Sequence, residues 1–267
     1  MYLADDRGMG SDLFIAEASP RGERRQASQL RIGTAPAQSK FDDHESDYEG
    51  LVERSIRFSG RDHSFFVGAK ARHLISLIAA YVGEPAEQRV LDVGCGSGAT
   101  HPHLRAIGSL VGVDVAESML ARAKRENPGV SYRAGDALNL PFEDREFDAA
   151  FAITVLHHVD PSHWRRAVDE LRRVVRVGGI AVIFEHNPFN PLTRLAVNRC
   201  EFDDDAVLLS RGKARRLLQG AGLEIVGQRY ILLTPWRNAT ARWLEDTTRQ
   251  LPLASQYYVA GRVRGDR

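Results

Sequence analysis

The sequence predicts an α/β fold with a doubly wound, mostly parallel sheet and helices on both faces. Three observations predict it. Short apolar segments alternate with helical segments between residues 89 and 184, as they do in parallel strand–helix–strand units. The segment Phe147–Ile153 is apolar almost throughout, which is typical of a strand buried on both faces. Three glycines at 94, 96 and 98 directly follow an apolar segment, which is typical of a tight turn that approaches a ligand.

The elements follow in order along the chain. Residues 1–40 are polar and have no sustained apolar period, so we predict a flexible tail. Residues 41–85 carry apolar stripes at helical spacing that end near Gly83 and Pro85, and they predict a helical segment before the core at 86–267. We predict strands at 89–93, 110–113, 130–134, 147–153, 180–184, 223–233 and 256–263, and helices at 99–107, 116–125, 161–175, 210–220 and 238–249. Residues 187–209 are rich in prolines and acidic residues and predict an insertion.

Composition limits the class of partner. The 267 residues carry a formal net charge of +1, which argues against a nucleic-acid binder held mainly by phosphate contacts. The two cysteines, Cys95 and Cys200, lack metal-type spacing, and no signal peptide or stretch long enough to span a membrane is evident. We therefore expect a cytoplasmic protein with a small-molecule partner. Composition leaves the oligomeric state open.

Two carboxylates follow the glycine loop at strand ends. Asp114 ends the second strand about 20 residues after Gly94, a position from which an acidic side chain accepts hydrogen bonds from ribose hydroxyls. The alternative is a helix N-cap. Asp136 follows the third strand and is placed to accept from an adenine amino group, while the Ala137 amide donates to the ring. The alternative for Asp136 is a turn residue.

Residues 89–186 resemble the class I S-adenosylmethionine-dependent methyltransferases. The resemblance rests on LDVGCGSG at 91–98, GVDVAESML at 112–120, GDA at 135–137, Pro141-Phe142 with Phe147-Asp148, LHHV at 156–159, and LRRV at 171–174 before Gly178-Gly179. It implies a seven-stranded sheet with an antiparallel last strand, an N-terminal helical cap over the cofactor, and S-adenosylmethionine as the cofactor. The residues then expected at the cofactor are Tyr48, Asp92, Gly94, Cys95, Gly96, Gly98, Asp114, Val115, Met119, Asp136, Ala137 and Ile153.

A nicotinamide dehydrogenase is the rival from the same superfold. Its fingerprint spaces the glycines as G-x-G-x-x-G, whereas this chain has G-x-G-x-G at 94–98 and no second catalytic domain follows. The spacing favours the methyltransferase.

Candidate catalytic residues follow the fourth and fifth strands. Histidines suit proton removal from a hydroxyl acceptor, and His157, His158 and His186 all lie where strand ends face the ligand crevice. A packing role is the alternative for His157 and His158. Glu185 and His186 either bind substrate or are structural. We expect no metal, because few acidic residues gather after these strands.

The insertion at 187–209 is the candidate substrate-selecting segment. Its arginine and asparagine side chains, including Arg194, Asn198 and Arg199, suit hydroxyls, carboxylates or phosphates. The alternative is an ordinary segment covering the sheet. We predict methyl transfer to a small molecule at oxygen. The alternatives are nitrogen or carbon acceptors, or a non-catalytic protein that binds S-adenosylmethionine and serves as a partner.

Overall fold

The structure is a computed structural model that describes residues 48–234, 236 and 238–265, apart from the side chains of residues 48, 49, 202 and 242. The predicted tail at 1–40 lies outside the described residues. The strands are β1 (Arg89–Val93), β2 (Ser109–Asp114), β3 (Ser131–Ala134), β4 (Phe147–Ile153), β5 (Val175–His186), β6 (Leu223–Ile231) and β7 (Gln256–Val263). The helices are α1 (Tyr48–Ile56), α2 (His63–Tyr81), α3 (Glu117–Glu126), α4 (Trp164–Val174), α5 (Pro191–Arg199), α6 (Arg211–Gly220) and α7 (Ala239–Thr248).

The seven strands form one sheet in the order β3-β2-β1-β4-β5-β7-β6. Every pair among β1 to β5 is parallel, and β7 is antiparallel to both β5 and β6. Six strands therefore run one way and the last runs the other, which confirms the predicted fold class. The direction in which strands are added reverses between β1 and β4. Ligands of open α/β sheets bind at the carboxyl ends of the strands beside such a reversal.

Alternating side chains of the central strands build a core on each face of the sheet. Leu91 and Ala150 pack into one core with residues of α4 and α6. Val90 and Phe151 pack into the other with residues of α2. These strands are buried on both faces, as their apolar sequences predicted. Within the described ranges, no helix combines the length and apolarity that a bilayer crossing requires.

The predicted helix at 99–107 is wrong. Only a short 3-10 turn, His101–His103, follows the glycine loop. Two features oppose an α-helix here. Pro102 lacks a backbone N–H and restricts the residue before it. The buried ring of His101 is also held by Asp92, with Nε2 and Oδ2 2.9 Å apart.

Candidate active site

The glycine loop follows β1 at the reversal point of the sheet. Gly94, Gly96 and Gly98 all have positive φ, at 71°, 51° and 73°. A Cβ at Gly94 would lie 2.5 Å from Cγ2 of Val155, and one at Gly98 would lie 2.9 Å from the Tyr132 hydroxyl. A Cβ at Gly96 would meet nothing within 4 Å. Gly94 and Gly98 thus allow close packing, whereas Gly96 borders open space.

Asp114 ends β2 and holds this loop. Its Oδ2 accepts a hydrogen bond from the Gly96 amide at 2.8 Å, and its Oδ1 accepts one from the Ala116 amide at 3.0 Å. Burial raises the pKa of Asp114, although the hydrogen bonds from these amides oppose the shift. Each carboxylate oxygen has a second acceptor site. Asp114 therefore retains capacity to accept from a ribose hydroxyl, as the predicted role requires.

The other predicted cofactor residues differ in exposure. Asp136 accepts from the Leu138 amide at 2.9 Å, as a turn residue does. Asp92 and Met119 are buried, whereas Cys95, Val115, Asp136, Ala137 and Ile153 are half-buried. The side chain of Tyr48 lies outside the described residues. The cofactor roles of all these residues stay predictions.

A turn containing His157 follows β4, and Glu185 near the end of β5 holds it. Oε1 of the buried Glu185 accepts from the Leu156 amide at 2.8 Å, and its Oε2 lies 2.7 Å from Nδ1 of His157. Trp164 donates from Nε1 to the Leu156 carbonyl at 2.7 Å. The turn is thus fixed on two sides, and the Nε2 edge of the His157 ring faces away from Glu185.

Asp203, in the insertion, lies at this free edge. Its Oδ1 is 3.5 Å from Nε2 of His157 and 3.4 Å from Nε2 of His158. The His157 and His186 rings are 5.2 Å apart between centroids. The three predicted catalytic histidines therefore gather around one carboxylate. Asp203 was not predicted as a site residue, because it is far from these histidines along the chain.

The charges of this cluster shift its pKa values in opposite directions. Burial favours neutral imidazole, but the charge of Glu185 and the hydrogen bonds to Asp203 and Glu185 outweigh it and raise the pKa of His157 to about 10. Burial and the charge on His157 lower the pKa of His158 to about 3 and that of His186 to about 4. At neutral pH, His157 is the cation of the cluster and the other two histidines are neutral.

A cavity of about 350 Å³ opens beside this cluster. Its walls come from α1, α2, α5 and the turns after β4 and β6. The lining residues are Val52, Ser55, Ile56, Phe58, Ser59, His63, Phe66, Lys70, Thr154, His157, His158, His186, Asn190, Leu192, Thr193, Ala196, Val197, Cys200, Asp203, Leu232, Leu233, Ser255 and Gln256. Most of the wall is apolar, and Thr154, His157 and His186 bring polar groups to it from the strand ends. This volume suits a small organic molecule.

Lys70 of α2 is a second buried basic residue in the cavity wall. Only 3% of the residue is exposed. Burial lowers the pKa of Lys70 to about 8, while the charges of Glu185 and Asp92 oppose the shift. The helical pattern of the sequence did not predict a buried lysine here, because Lys70 lies among the residues of the apolar face.

The insertion lines the cavity with apolar side chains and not with the arginines that we predicted to select the substrate. Helix α5 contributes Leu192, Ala196 and Val197 to the wall, whereas Arg194 and Arg199 are exposed and do not line it. The segment is anchored by the buried Asn187, whose Nδ2 donates to the Ala254 carbonyl at 2.7 Å. Apolar contacts rather than arginines therefore define this wall.

The central region of the chain is similar to known proteins. Residues 91–183 match the methyltransferase domain family. Demethylmenaquinone methyltransferase of Renibacterium salmoninarum is 37% identical over 118 residues, which are 43% of this chain and 49% of that protein. A tRNA (carboxymethyluridine(34)-5-O)-methyltransferase of Arabidopsis thaliana is 33% identical over 108 residues, which are 40% of this chain and 26% of that protein. The chain thus spans about half or less of the length of these relatives.

The fold has counterparts among solved structures. A methyltransferase from Thermotoga maritima, described as S-adenosylmethionine-dependent and a possible histamine N-methyltransferase, aligns with a TM-score of 0.63 and 22% identity over 85% of this chain and 99% of that chain. At this identity the likeness shows the fold.

The match at 91–183 and the shared fold confirm the predicted resemblance to class I methyltransferases. The family implies S-adenosylmethionine as the cofactor. Because one relative is a tRNA methyltransferase, the exclusion of nucleic acid stays a prediction.

Proposed function

We propose that this protein transfers the methyl group of S-adenosylmethionine to the oxygen of a small, largely apolar molecule that binds in the cavity. The observation that carries the proposal is that the cavity borders a predicted cofactor residue at the end of β4. Thr154 lines the cavity and directly follows Ile153, a predicted cofactor residue. Thr154 has a φ of 55° and donates its amide to the Phe184 carbonyl at 2.8 Å. A non-glycine residue in this conformation is typical of functional sites.

The cofactor would supply an electrophilic methyl group on a sulfonium. The glycine loop and Asp114 are the residues that would hold it. Methyl transfer requires alignment of the acceptor and exclusion of water. The apolar side chains that α1 and α5 contribute to the cavity wall support both requirements.

Lys70 favours oxygen over nitrogen as the acceptor atom. A buried ammonium group stabilises an oxyanion and repels a protonated amine. A carbon acceptor activated by a neighbouring oxyanion would use the same lysine, so it is the second candidate. Relatives named demethylmenaquinone methyltransferase support an apolar acceptor with oxygen substituents.

A panel of phenols, quinols and amines tests this proposal. We expect release of S-adenosylhomocysteine with phenols or quinols and not with amines, and NMR of the product distinguishes an O-methyl from a C-methyl group. Ala196→Trp fills the cavity from α5 and should lower turnover by about 10²-fold through misplacement of the acceptor. Leu195→Trp, on the partly exposed side of the same helix, is the matched control.

Three results would contradict the proposal. Preferential methylation of amines would exclude an oxygen acceptor. Equal turnover in Ala196→Trp and Leu195→Trp would exclude the cavity. Binding of S-adenosylmethionine without turnover on any acceptor would favour a non-catalytic partner protein.

A further inference from the structure

We infer that His157, His186 and Asp203 form a binding site for one divalent transition-metal ion. The three side chains come from the turn after β4, the end of β5 and the insertion. Each offers one ligand atom, and these atoms all lie within 4.8 Å of one another. Ligands about 2.1 Å from a zinc ion are about 3.5 Å apart. His157 Nε2 and Asp203 Oδ1 already have this separation, at 3.5 Å.

The groups behind these residues direct ligand atoms toward one point. Metal-binding histidines usually donate their other ring N–H to a carboxylate or carbonyl oxygen. Glu185 Oε2 occupies this position for His157, 2.7 Å from Nδ1. The carboxylate thereby directs Nε2 toward a metal, which would displace the proton that this nitrogen carries in the metal-free protein.

Gln256 provides the corresponding group for His186. Its Nε2 lies 3.4 Å from Nδ1 of His186, and its buried Oε1 has no hydrogen-bond partner among the described residues. The nitrogen and oxygen of an amide are assigned from their surroundings and are interchangeable by a flip. A flipped amide would accept from the His186 Nδ1–H, which satisfies the orphaned oxygen and leaves Nε2 of His186 for the metal.

Charge and donor type indicate the class of ion. Glu185 and Asp203 supply two negative charges, which balance a divalent cation in a buried setting. Two imidazoles and one carboxylate suit zinc or ferrous iron, and three protein ligands leave coordination positions open. All three ligands line the cavity, so the open positions face it. If the proposed function holds, an acceptor hydroxyl is the group that would occupy them, and the ion would polarise its oxygen.

A cobalt(II) titration of the chelator-treated full chain tests the site by visible absorption, with zinc measured in competition against a chromophoric chelator. We expect one ion per chain. His186→Gln and Asp203→Asn should weaken binding by about 10²-fold or more, and Glu185→Gln by about 10- to 100-fold. His163→Gln is the matched control for the loss of a histidine. Asp205→Asn is the matched control for the loss of an acidic charge, because Asp205 lies two residues after Asp203. Both variants should bind the metal as the wild type does. Near-UV circular dichroism confirms that each variant is folded.

Two outcomes would overturn the site. One is the absence of cobalt, zinc and ferrous iron binding to the wild type, which would leave His157 and Asp203 as an ion pair only. The other is equal affinity in Asp203→Asn and Asp205→Asn. Calorimetry with S-adenosylmethionine on the same samples separates the two proposals, because metal binding without cofactor binding would contradict the proposed function alone.

Discussion

Oε2 of Glu185, in β5, lies 2.7 Å from Nδ1 of His157, in the turn after β4. Both side chains are buried, and the pair joins the ends of two neighbouring parallel strands. The carboxylate also accepts from the Leu156 amide. One side chain thus fixes both the backbone of the turn and the orientation of the imidazole.

Glu185→Ala should lower the free energy of unfolding by about 3–5 kcal/mol, because it leaves a buried imidazolium without its main partner. Urea unfolding at pH 7 measures the change. Glu224→Ala removes an exposed carboxylate that pairs with Arg264 and should change stability by less than about 1 kcal/mol. Similar losses in the two variants would show that the Glu185 contact is as weak as a surface pair.

Lys70→Met should stabilise the protein at pH 7 by about 3 kcal/mol, because the folded state holds a buried charge and lowers the pKa from 10.5 to about 8. Below pH 8 the lysine is charged in both states, so the cost of burial is fully present. Between pH 8 and 10.5 the folded protein releases the proton first, and the wild type gains stability relative to the variant.

Unfolding of Lys70→Met and wild type across pH 7 to 10.5 measures this difference. Lys124→Met, at an exposed position of α3, is the control and should show no trend. An advantage of Lys70→Met that stays constant over the whole range would contradict the buried charge.

Gly96→Ala should remain folded but lose most of its affinity for S-adenosylmethionine, because the added methyl group enters the open space of the loop. Gly60→Ala is the control, since Gly60 also has positive φ and no atom within 4 Å of an added Cβ. Both variants should lose about 1 kcal/mol of stability from backbone strain. Calorimetry should show weakened cofactor binding in Gly96→Ala alone, and normal binding there would place the cofactor elsewhere.

Asp114→Ala should weaken S-adenosylmethionine binding by about 1–3 kcal/mol, the usual cost of losing a charged hydrogen-bond partner. Isothermal titration calorimetry measures it. Asp169→Ala, which removes a partly exposed carboxylate from α4, should bind as the wild type does. Unchanged affinity in folded Asp114→Ala would remove this residue from the ribose site.

Local sequence patterns predicted much of the fold. The bounds of β1 and β4 match the prediction, because apolar strands between polar turns are recognisable from a few residues. The helix at 99–107 was wrong because a buried contact between His101 and Asp92 competes with local helix formation. Contacts of this kind depend on the folded chain, so the local pattern did not indicate them.

The candidate site was predicted only in part. The histidines were found because they follow strand ends, and the parallel topology brings strand ends together. Asp203 was missed because it approaches His157 only after the insertion folds back, as the amide of Val207 donates to the His157 carbonyl at 2.9 Å. The side of α5 that faces the cavity was also not predicted. It depends on the hydrogen bond from Asn187 to the carbonyl of Ala254, which is far away along the chain.

Transfer of a deuterium-labelled methyl group tests the central claim most directly. The wild-type protein is incubated with S-adenosylmethionine labelled in the methyl group and with a phenol or quinol from the panel, and the product is analysed by mass spectrometry and NMR. We predict that the intact labelled methyl group appears on the acceptor oxygen, with matching release of S-adenosylhomocysteine, and that Gly96→Ala strongly lowers both. Absence of label from every acceptor, in a wild-type protein that calorimetry shows to be bound to the cofactor, would contradict the account.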